Sequence, residues 1–237
     1  MPDPSESLPP KAARILAAAG ELLLARGSKG VTIADVARKG HIGKGTVYLY
    51  WKTKEDLLLD LLCRDFLALA DEVISAVAAN HELIRPSRLC PNLLHVAAAH
   101  PYVLAVRSND AELLGVLTDD ARSATLLDAL GPDAMVRRIL PIWRTYDLAR
   151  TDWSVADQAL AVDSLFSGFV MVAGGCSARQ VEDPDRVFAA SFTALLGPER
   201  AAPEQVEAAA AEAVRALGEQ SAVVRGLLSQ PAASTDY

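Results

Sequence analysis

The sequence of 237 residues predicts an all-α protein, built as a small N-terminal head of three helices followed by a larger helical body. Apolar residues recur three and four positions apart along most of the chain, which is the period of an amphipathic helix, and no segment has a competing strand pattern. Residues 32–56 contain two short helical patterns separated by a tight turn. All lysines lie within the first 54 residues, so the head and the body differ in charge.

These patterns divide the chain into four parts. Residues 1–9 are rich in proline and serine and lack the pattern of a signal peptide, so we expect a disordered arm. The head covers residues 10–56 and the body covers residues 57–229. Residues 230–237 are expected to form a flexible tail.

The first helix of the turn motif is predicted to begin after Thr32, whose hydroxyl can accept a hydrogen bond from a free backbone amide of the first turn. Its apolar face is formed by Ile33, Val36 and Ala37. Gly40 and His41 are expected to end it, since histidine tolerates the left-handed backbone of such a turn better than most residues. Ile42 is expected to be a buried residue of the turn.

The second helix of the motif is predicted to begin after Gly43 and to run from residue 44 to about residue 49, with Val47 facing the core. Its other positions carry groups that suit a DNA duplex. Lys44 can reach a base edge or a phosphate, and Gly45 allows close approach of the backbone. Thr46 offers a hydroxyl to a phosphate and a methyl to a thymine.

Two tyrosines extend this polar surface. The hydroxyls of Tyr48 and Tyr50 can donate to phosphate oxygens, and their rings can pack on sugars. Thr53 is predicted to cap the next helix, with Glu55 and Asp56 in its first turn and Lys54 beside a phosphate. A helix N-terminus is itself a favourable phosphate site.

The charge distribution supports a DNA-binding head. Residues 10–54 contain nine lysines and arginines and two acids, a net charge of +7. Residues 57–237 contain 14 arginines and 24 acids, a net charge of −10. A pI near 5.1 would argue against nucleic-acid binding for an evenly charged protein, but a basic head on an acidic body changes that expectation. The alternative is a helix-turn-helix pattern that has arisen by chance in a helical protein.

Residues 11–62 resemble the N-terminal domain of TetR-family (tetracycline-repressor-family) transcriptional regulators. The resemblance is carried by residues 15–19, 22–23, 26–27, 30–33, 36–37, 44–51 and 54–58. The chain has His41 where the family usually has glycine, and Gly43 where it usually has serine or threonine. The resemblance implies that the second helix of the motif enters the major groove. The predicted DNA-binding residues are Thr32, Gly43, Lys44, Gly45, Thr46, Tyr48, Tyr50 and Lys54.

The body is predicted to be helical throughout. Prolines, glycines and capping residues separate its helical patterns, and Ser154 is predicted to cap the helix that begins at residue 155. The predicted helices are residues 53–80, 86–100, 101–106, 111–117, 121–130, 133–149, 155–172, 184–196 and 203–228.

Helices 155–172 and 184–196 carry apolar residues on more than one face, so other protein must cover them. The resemblance implies a homodimer in which this pair forms a four-helix bundle with the same pair of the partner. A two-fold dimer also reads two half-sites of a palindromic duplex. The alternative is burial of both helices within one chain. The predicted dimer-interface residues are Val162, Phe166, Phe169, Val170, Phe188, Phe192 and Leu195.

The resemblance also implies a site in the body for a small-molecule effector. Aromatic residues with a few polar groups suit a moderately apolar molecule. The alternative is that these side chains only pack the core or the dimer. The candidate lining residues are His95, Tyr102, Arg107, Trp143, Tyr146 and Phe166.

The sequence offers no pattern typical of catalysis, a metal site or a bound cofactor. Three widely spaced cysteines (Cys63, Cys90 and Cys176) indicate free thiols in a reducing cytoplasm. No apolar run reaches the ~18–20 residues that span a bilayer, so no membrane association is expected. We therefore expect a cytoplasmic, non-enzymatic repressor that a small molecule releases from its operator. The alternative is a helical small-molecule-binding or scaffold protein with a non-functional head.

Overall fold

The computed structural model describes residues 8–108, 110–115, 120–173 and 181–228. Within these ranges the chain forms twelve α-helices and one short 3-10 helix, and no strand. Residues 1–7 of the predicted arm and the predicted tail lie outside the described residues. The helices are α1 (Pro10–Arg26), α2 (Ile33–Lys39), α3 (Lys44–Tyr50), α4 (Lys54–Ala79), the 3-10 helix (His81–Ile84), α5 (Pro86–Ala97), α6 (Pro101–Arg107), α7 (Ala111–Leu114), α8 (Ala121–Leu130), α9 (Pro132–Thr145), α10 (Val155–Ala173), α11 (Pro184–Leu196) and α12 (Pro203–Arg225).

The predicted capping residues begin their helices as expected. The Thr32 hydroxyl accepts from the Asp35 amide at 3.2 Å. Thr53 and Asp56 form a reciprocal capping box, in which each side chain accepts from the other residue's backbone amide at 3.0 Å. The Ser154 hydroxyl accepts from an amide in the first turn of α10 at 3.1 Å. Each cap satisfies a backbone donor that has no partner within its helix.

Several helix ends differ from the prediction because the backbone turns before the apolar pattern ends. Helix α9 ends at Thr145, four residues early, and the chain then turns through Asp147 at a φ of 56°. Helix α7 is a single turn that ends before Gly115, which has a φ of 47°. Residues 116 and 117 of the predicted 111–117 helix lie outside the described residues. The 3-10 helix was not predicted.

Two hydrophobic clusters make up the core of the described residues. The first joins α1–α3 to the first half of α4 and also includes Tyr102 of α6 and Leu126 of α8. The head is therefore packed directly against the body. The second cluster lies among the later part of α4, the 3-10 helix and helices α5 and α9–α12. Helix α4, with 26 residues, contributes to both clusters and so connects the head to the body core.

One helix of the described residues, over Val155–Val172, is long and apolar enough by length and composition alone to cross a membrane. Helices α5 and α6 meet the same measure only when taken as a pair, and they are bent by 113°. Only 17% of the Val155–Val172 segment is buried inside the single chain. It therefore leaves an apolar surface without cover from its own chain.

Candidate nucleic-acid interface and effector cavity

One side of helix α3 packs against the core of the head, and the other side is exposed to solvent. Val47 is fully buried in the core of the head, as predicted. Lys44, Gly45 and Tyr48 are exposed, while Tyr50 is half-buried and its ring lies 5.6 Å from that of Trp51. A side chain built at Gly45 would meet nothing within 4 Å, so a duplex could approach the backbone closely there.

The turn before α3 is fixed from α1. His41 adopts a φ of 52°, the left-handed conformation expected from the sequence. The guanidinium of Arg14 donates to the Gly40 carbonyl at 2.9 Å and to the His41 carbonyl at 3.3 Å. Ile42 is half-buried rather than the buried residue that was predicted, because the turn stays at the surface of the head. Gly43 caps α3 through its backbone alone. Arg14 was not predicted, although a cation on a neighbouring helix is a common partner for such carbonyls.

The far end of α3 is fastened to α4 by a buried polar contact. The indole Nε1 of Trp51 donates to Asp60 at 2.7 Å, and Asp60 is 2% exposed. The Nε of Arg64 lies 2.8 Å from the other carboxylate oxygen. Burial raises the pKa of Asp60, and the nearby Arg64 and Trp51 offset only part of that rise. This contact fixes the C-terminal end of α3 against α4, and it was missed because a pair nine residues apart leaves no local pattern in the sequence.

Two of the predicted DNA-binding residues already have partners in the chain. The Thr32 hydroxyl donates to the Asp35 carboxylate at 2.6 Å, in addition to its capping role. The Nζ of Lys54 donates to the Ser28 carbonyl at 3.1 Å. A lysine ammonium has three donors, so Lys54 keeps the capacity to bind a phosphate near the start of α4.

The head is also tied to the body close to this surface. Ser28 donates from its amide to the Glu112 carbonyl at 3.0 Å, and from its hydroxyl to the same oxygen at 3.2 Å. Arg122 of α8 donates to Asp56 in the first turn of α4 at 2.7 Å. Burial raises the pKa of Asp56, but its bonds with Arg122 and Thr53 outweigh burial and lower it overall. The position of the head thus depends on α7 and α8.

The body contains an apolar cavity. The space that a water-sized sphere can occupy in it is about 80 Å³, within about 580 Å³ of unfilled space that includes open solvent. It lies among α4, the 3-10 helix, α5, α8, α9 and α12. Its lining consists only of apolar residues: Phe66, Leu69, Ala70, Val73, Val77, Ile84, Leu89, Leu93, Leu130, Met135, Ile139, Ala213, Val214 and Leu217. Such a lining favours an apolar ligand and offers no polar side chain that would orient it.

None of the six residues predicted to line an effector site lines this cavity. Trp143 donates from Nε1 to the Ile84 carbonyl at 2.8 Å, which orients its ring within the core. Tyr146 donates its hydroxyl to Glu212 at 2.9 Å. His95 is exposed and lies 2.7 Å from Asp185.

The other three predicted lining residues are also placed by packing. Arg107 contacts Asp163 at 2.9 Å, and its guanidinium lies 4.6 Å from the centroid of the Phe166 ring. Tyr102 of α6 is buried in the first hydrophobic cluster, and this burial raises the pKa of its phenol to about 12. The sequence directed attention to aromatic and charged side chains, whereas the cavity is lined mainly by aliphatic residues, with Phe66 as its one aromatic side chain.

The residues predicted at the dimer interface separate into two groups. Val162, Phe188 and Phe192 are 3%, 0% and 0% exposed, so they face the core of their own chain and offer no side-chain surface to a partner. Phe166, Phe169, Val170 and Leu195 are half-buried. The outer faces of α10 and α11 carry other apolar residues, including Leu160 at 69%, Met171 at 78% and Val187 at 42% exposed. One face of the two helices is therefore buried within the chain, and the other face is apolar and exposed.

Other chemistry has little support in the described residues. No group of histidine, cysteine, aspartate and glutamate there is arranged to hold a metal ion. Cys63 and Cys90 are buried free thiols, and burial raises the pKa of Cys63 to about 12 and that of Cys90 further. Thiols held in this neutral form are poor nucleophiles. Cys176 lies outside the described residues.

Comparison with known proteins identifies the head. Residues 15–61 match the sequence profile of the bacterial regulatory proteins of the tetR family. The matched segment covers most of α1, the turn motif and the start of α4. The head is therefore similar in sequence to the N-terminal region of tetR-family regulators. No curated protein sequence matches the chain.

Solved structures extend the likeness beyond the head. The fatty acid degradation regulator FadR from Bacillus halodurans is 18% identical, with a TM-score of 0.57 over 83% of this chain and 100% of that protein. FadR from Bacillus subtilis, solved in complex with stearoyl-CoA, is 16% identical, with a TM-score of 0.57 over 78% and 97% of the two chains.

A putative tetR family transcription regulator from Shewanella sp. PV-4 is 17% identical, with a TM-score of 0.56 over 79% and 98%. At these identities the likeness is one of fold. The likeness of fold therefore covers the helical body as well as the head.

Proposed function

We propose that this chain is a homodimeric, cytoplasmic transcriptional repressor that binds a palindromic operator through α3 and releases it when an apolar effector fills the body cavity. The observation that carries the proposal is the difference in burial between the two sides of α3. Val47 fixes its inner side, while Lys44, Gly45 and Tyr48 stand free on its outer side. A short helix held this way is the form in which a helix-turn-helix protein presents side chains to the major groove.

The charge of the head supports duplex DNA as the partner. Its net charge of +7 contrasts with the acidic body, so the electrostatic attraction of a duplex is confined to one end of the molecule. Contacts with phosphates would position α3, and base contacts from its outer face would supply specificity. The phosphate contacts would come from Lys44, Tyr48, Tyr50 and Lys54.

The apolar outer faces of α10 and α11 support the homodimer. Leu160, Gly168 and Met171 follow one another at helical spacing along α10, and a side chain built at Gly168 would meet nothing within 4 Å. Small and apolar residues on an exposed helix face allow close packing against a second copy. The dimer would place two α3 helices on one side of the duplex.

The cavity supports an effector with a substantial apolar part. It lies against α4, the same helix whose first turn carries the head, so a ligand that favours one position of α4 changes the spacing of the two heads. The stearoyl-CoA bound by Bacillus subtilis FadR contains a long acyl chain, and an acyl chain suits the aliphatic lining here.

DNA binding is tested by selecting bound duplexes from a random library with the purified protein. We expect a two-fold symmetric site, with an affinity that falls as salt rises by about 0.9 log units per log unit of salt for each neutralised phosphate. Lys44→Ala and Tyr48→Ala should each weaken operator binding by about 5- to 150-fold and leave the dimer intact. Arg215→Ala, in the body, is the matched control and should bind normally. Failure to enrich any duplex would favour a helical scaffold with a non-functional head.

The effector site is tested by filling the cavity. Ala213 lines it and is 2% exposed, whereas Ala211 on the same helix is exposed. Acyl-CoAs of graded chain length should release the operator from the unchanged protein. Ala213→Leu should retain operator binding and lose the response, while Ala211→Leu should retain both. An equal response in both variants would place the effector elsewhere.

The dimer is tested by light scattering after chromatography. Met171→Arg puts a charge on the proposed interface and should give monomers that bind a full operator weakly. Val223→Arg changes a residue of α12 that is 46% exposed and should leave the dimer unchanged. A dimeric Met171→Arg protein would exclude this face as the interface.

A further inference from the structure

Leu49 is an exposed leucine on the recognition helix. It is 61% exposed, whereas most leucines of the head are buried, including Leu16, Leu22 and Leu23 of α1. Leaving most of a leucine side chain in water forgoes the stabilisation that burial gives. Such a position is informative when it lies on a surface that binds something.

The position of Leu49 follows from helix geometry. Successive residues of an α-helix are about 100° apart, so Leu49 lies about 160–200° around the axis from Val47. Val47 is fully buried, and Leu49 therefore projects away from the core. Gly45 precedes it by one turn on the same outer side, and nothing lies within 4 Å of the space its side chain would occupy. Leu49 and the gap at Gly45 thus form the centre of the outer face of α3.

The groups around Leu49 restrict what this centre can bind. Lys44 and Lys52 are exposed near the two ends of α3, and Tyr48 is 46% exposed beside Leu49. An apolar side chain framed by lysines suits a polyanion that also presents an apolar group. In the major groove of DNA the thymine C5-methyl is that group, and it alone distinguishes thymine from uracil.

We propose that Leu49 contacts the C5-methyl of a thymine in each half-site and so selects thymine at that position. This inference rests on the proposed operator binding. Leucine has no donor or acceptor, so its contribution to specificity comes from removing the methyl and the side chain from water together. The open space at Gly45 lets the groove come close enough for this contact.

The expected effect is that of one methyl group. Replacing the contacted thymine by deoxyuridine keeps the base pair and its hydrogen-bonding groups, and should weaken binding about fourfold for one half-site. Replacement in both half-sites of a symmetric operator should weaken binding about 15-fold. Leu49→Ala should bind the normal operator more weakly and be insensitive to deoxyuridine at that position.

The test is a scan of the selected operator in which each thymine is replaced in turn by deoxyuridine. Binding is measured for the unchanged protein, Leu49→Ala and Leu24→Ala, the last removing a leucine of α1 that is 50% exposed. We expect one thymine per half-site at which only Leu49→Ala has lost sensitivity to the methyl. Thermal unfolding of Leu49→Ala should match that of the unchanged protein, because the side chain is exposed.

The outcomes separate this inference from the function it rests on. If no duplex is enriched, operator binding itself fails. If a specific operator is bound but no thymine shows a methyl effect, or if Leu49→Ala keeps the same effect, operator binding stands and the role of Leu49 is overturned. A half-site without thymine would also overturn it.

Discussion

Replacing Asp60 by alanine tests how the recognition helix is held. Asp60 is 2% exposed and accepts from the Trp51 indole at 2.7 Å, while Arg64, whose side chain is 30% exposed, lies on its other side at 2.8 Å. Loss of a hydrogen bond to a buried charged group costs about 1.5–3 kcal/mol. The half-exposed Arg64 can turn to water, so its share is at most about 1 kcal/mol.

Relief of the desolvation of Asp60 offsets part of this loss, since burial also raises its pKa. We therefore expect Asp60→Ala to lower the free energy of unfolding by about 2–3 kcal/mol. Because Trp51 directly follows α3, operator affinity should also fall under conditions in which the variant is still fully folded.

The assay is urea unfolding followed by circular dichroism, with operator binding measured on the same preparations. Trp51→Phe removes the donor, and the double variant completes a thermodynamic cycle with a coupling energy of about 1.5–3 kcal/mol. Glu207→Ala, which removes an exposed acid of α12, is the control and should change stability by less than about 0.5 kcal/mol. Additive effects of the two single changes would refute the Trp51–Asp60 contact. Normal operator affinity in folded Asp60→Ala would refute its role in positioning α3.

Three further predictions concern the rest of the molecule. The pKa of Asp56 lies below its usual 3.8, so the contribution of this carboxylate to stability is present above about pH 4 and is lost as pH falls. In Arg122→Gln the stability should therefore fall less steeply between about pH 2 and 4 than in the unchanged protein. The same steepness in both proteins would contradict this. Peptide mass spectrometry should show Cys63 and Cys90 protected from a maleimide at pH 7.5 until the protein unfolds, and rapid labelling of the native protein would contradict their burial. Val47→Ala should destabilise the head by about 1–3 kcal/mol in urea unfolding, because its fully buried side chain packs α3 on the core; a loss below about 0.5 kcal/mol would contradict that packing.

The turn motif and its caps could be predicted because they depend on nearby residues. Thr32 and Thr53 cap the helices that follow them through amides three residues away. His41 adopts the left-handed turn that its position requires. Val47 is buried because one side of a short helix must carry its packing. Contacts that join distant segments, such as Arg14 to the turn and Trp51 to Asp60, left no local pattern.

The sequence by itself determined the helices, the basic head and the recognition motif, since helical period, capping and charge are properties of neighbouring residues. It could not determine which side of α10 and α11 faces the core, because both sides are apolar; only the tertiary structure separates buried Phe188 from exposed Met171. It also could not locate the cavity, whose lining comes from six segments between Phe66 and Leu217. A cavity is space that packed helices leave between them, and aliphatic residues beside it have the same pattern as residues that fill a core.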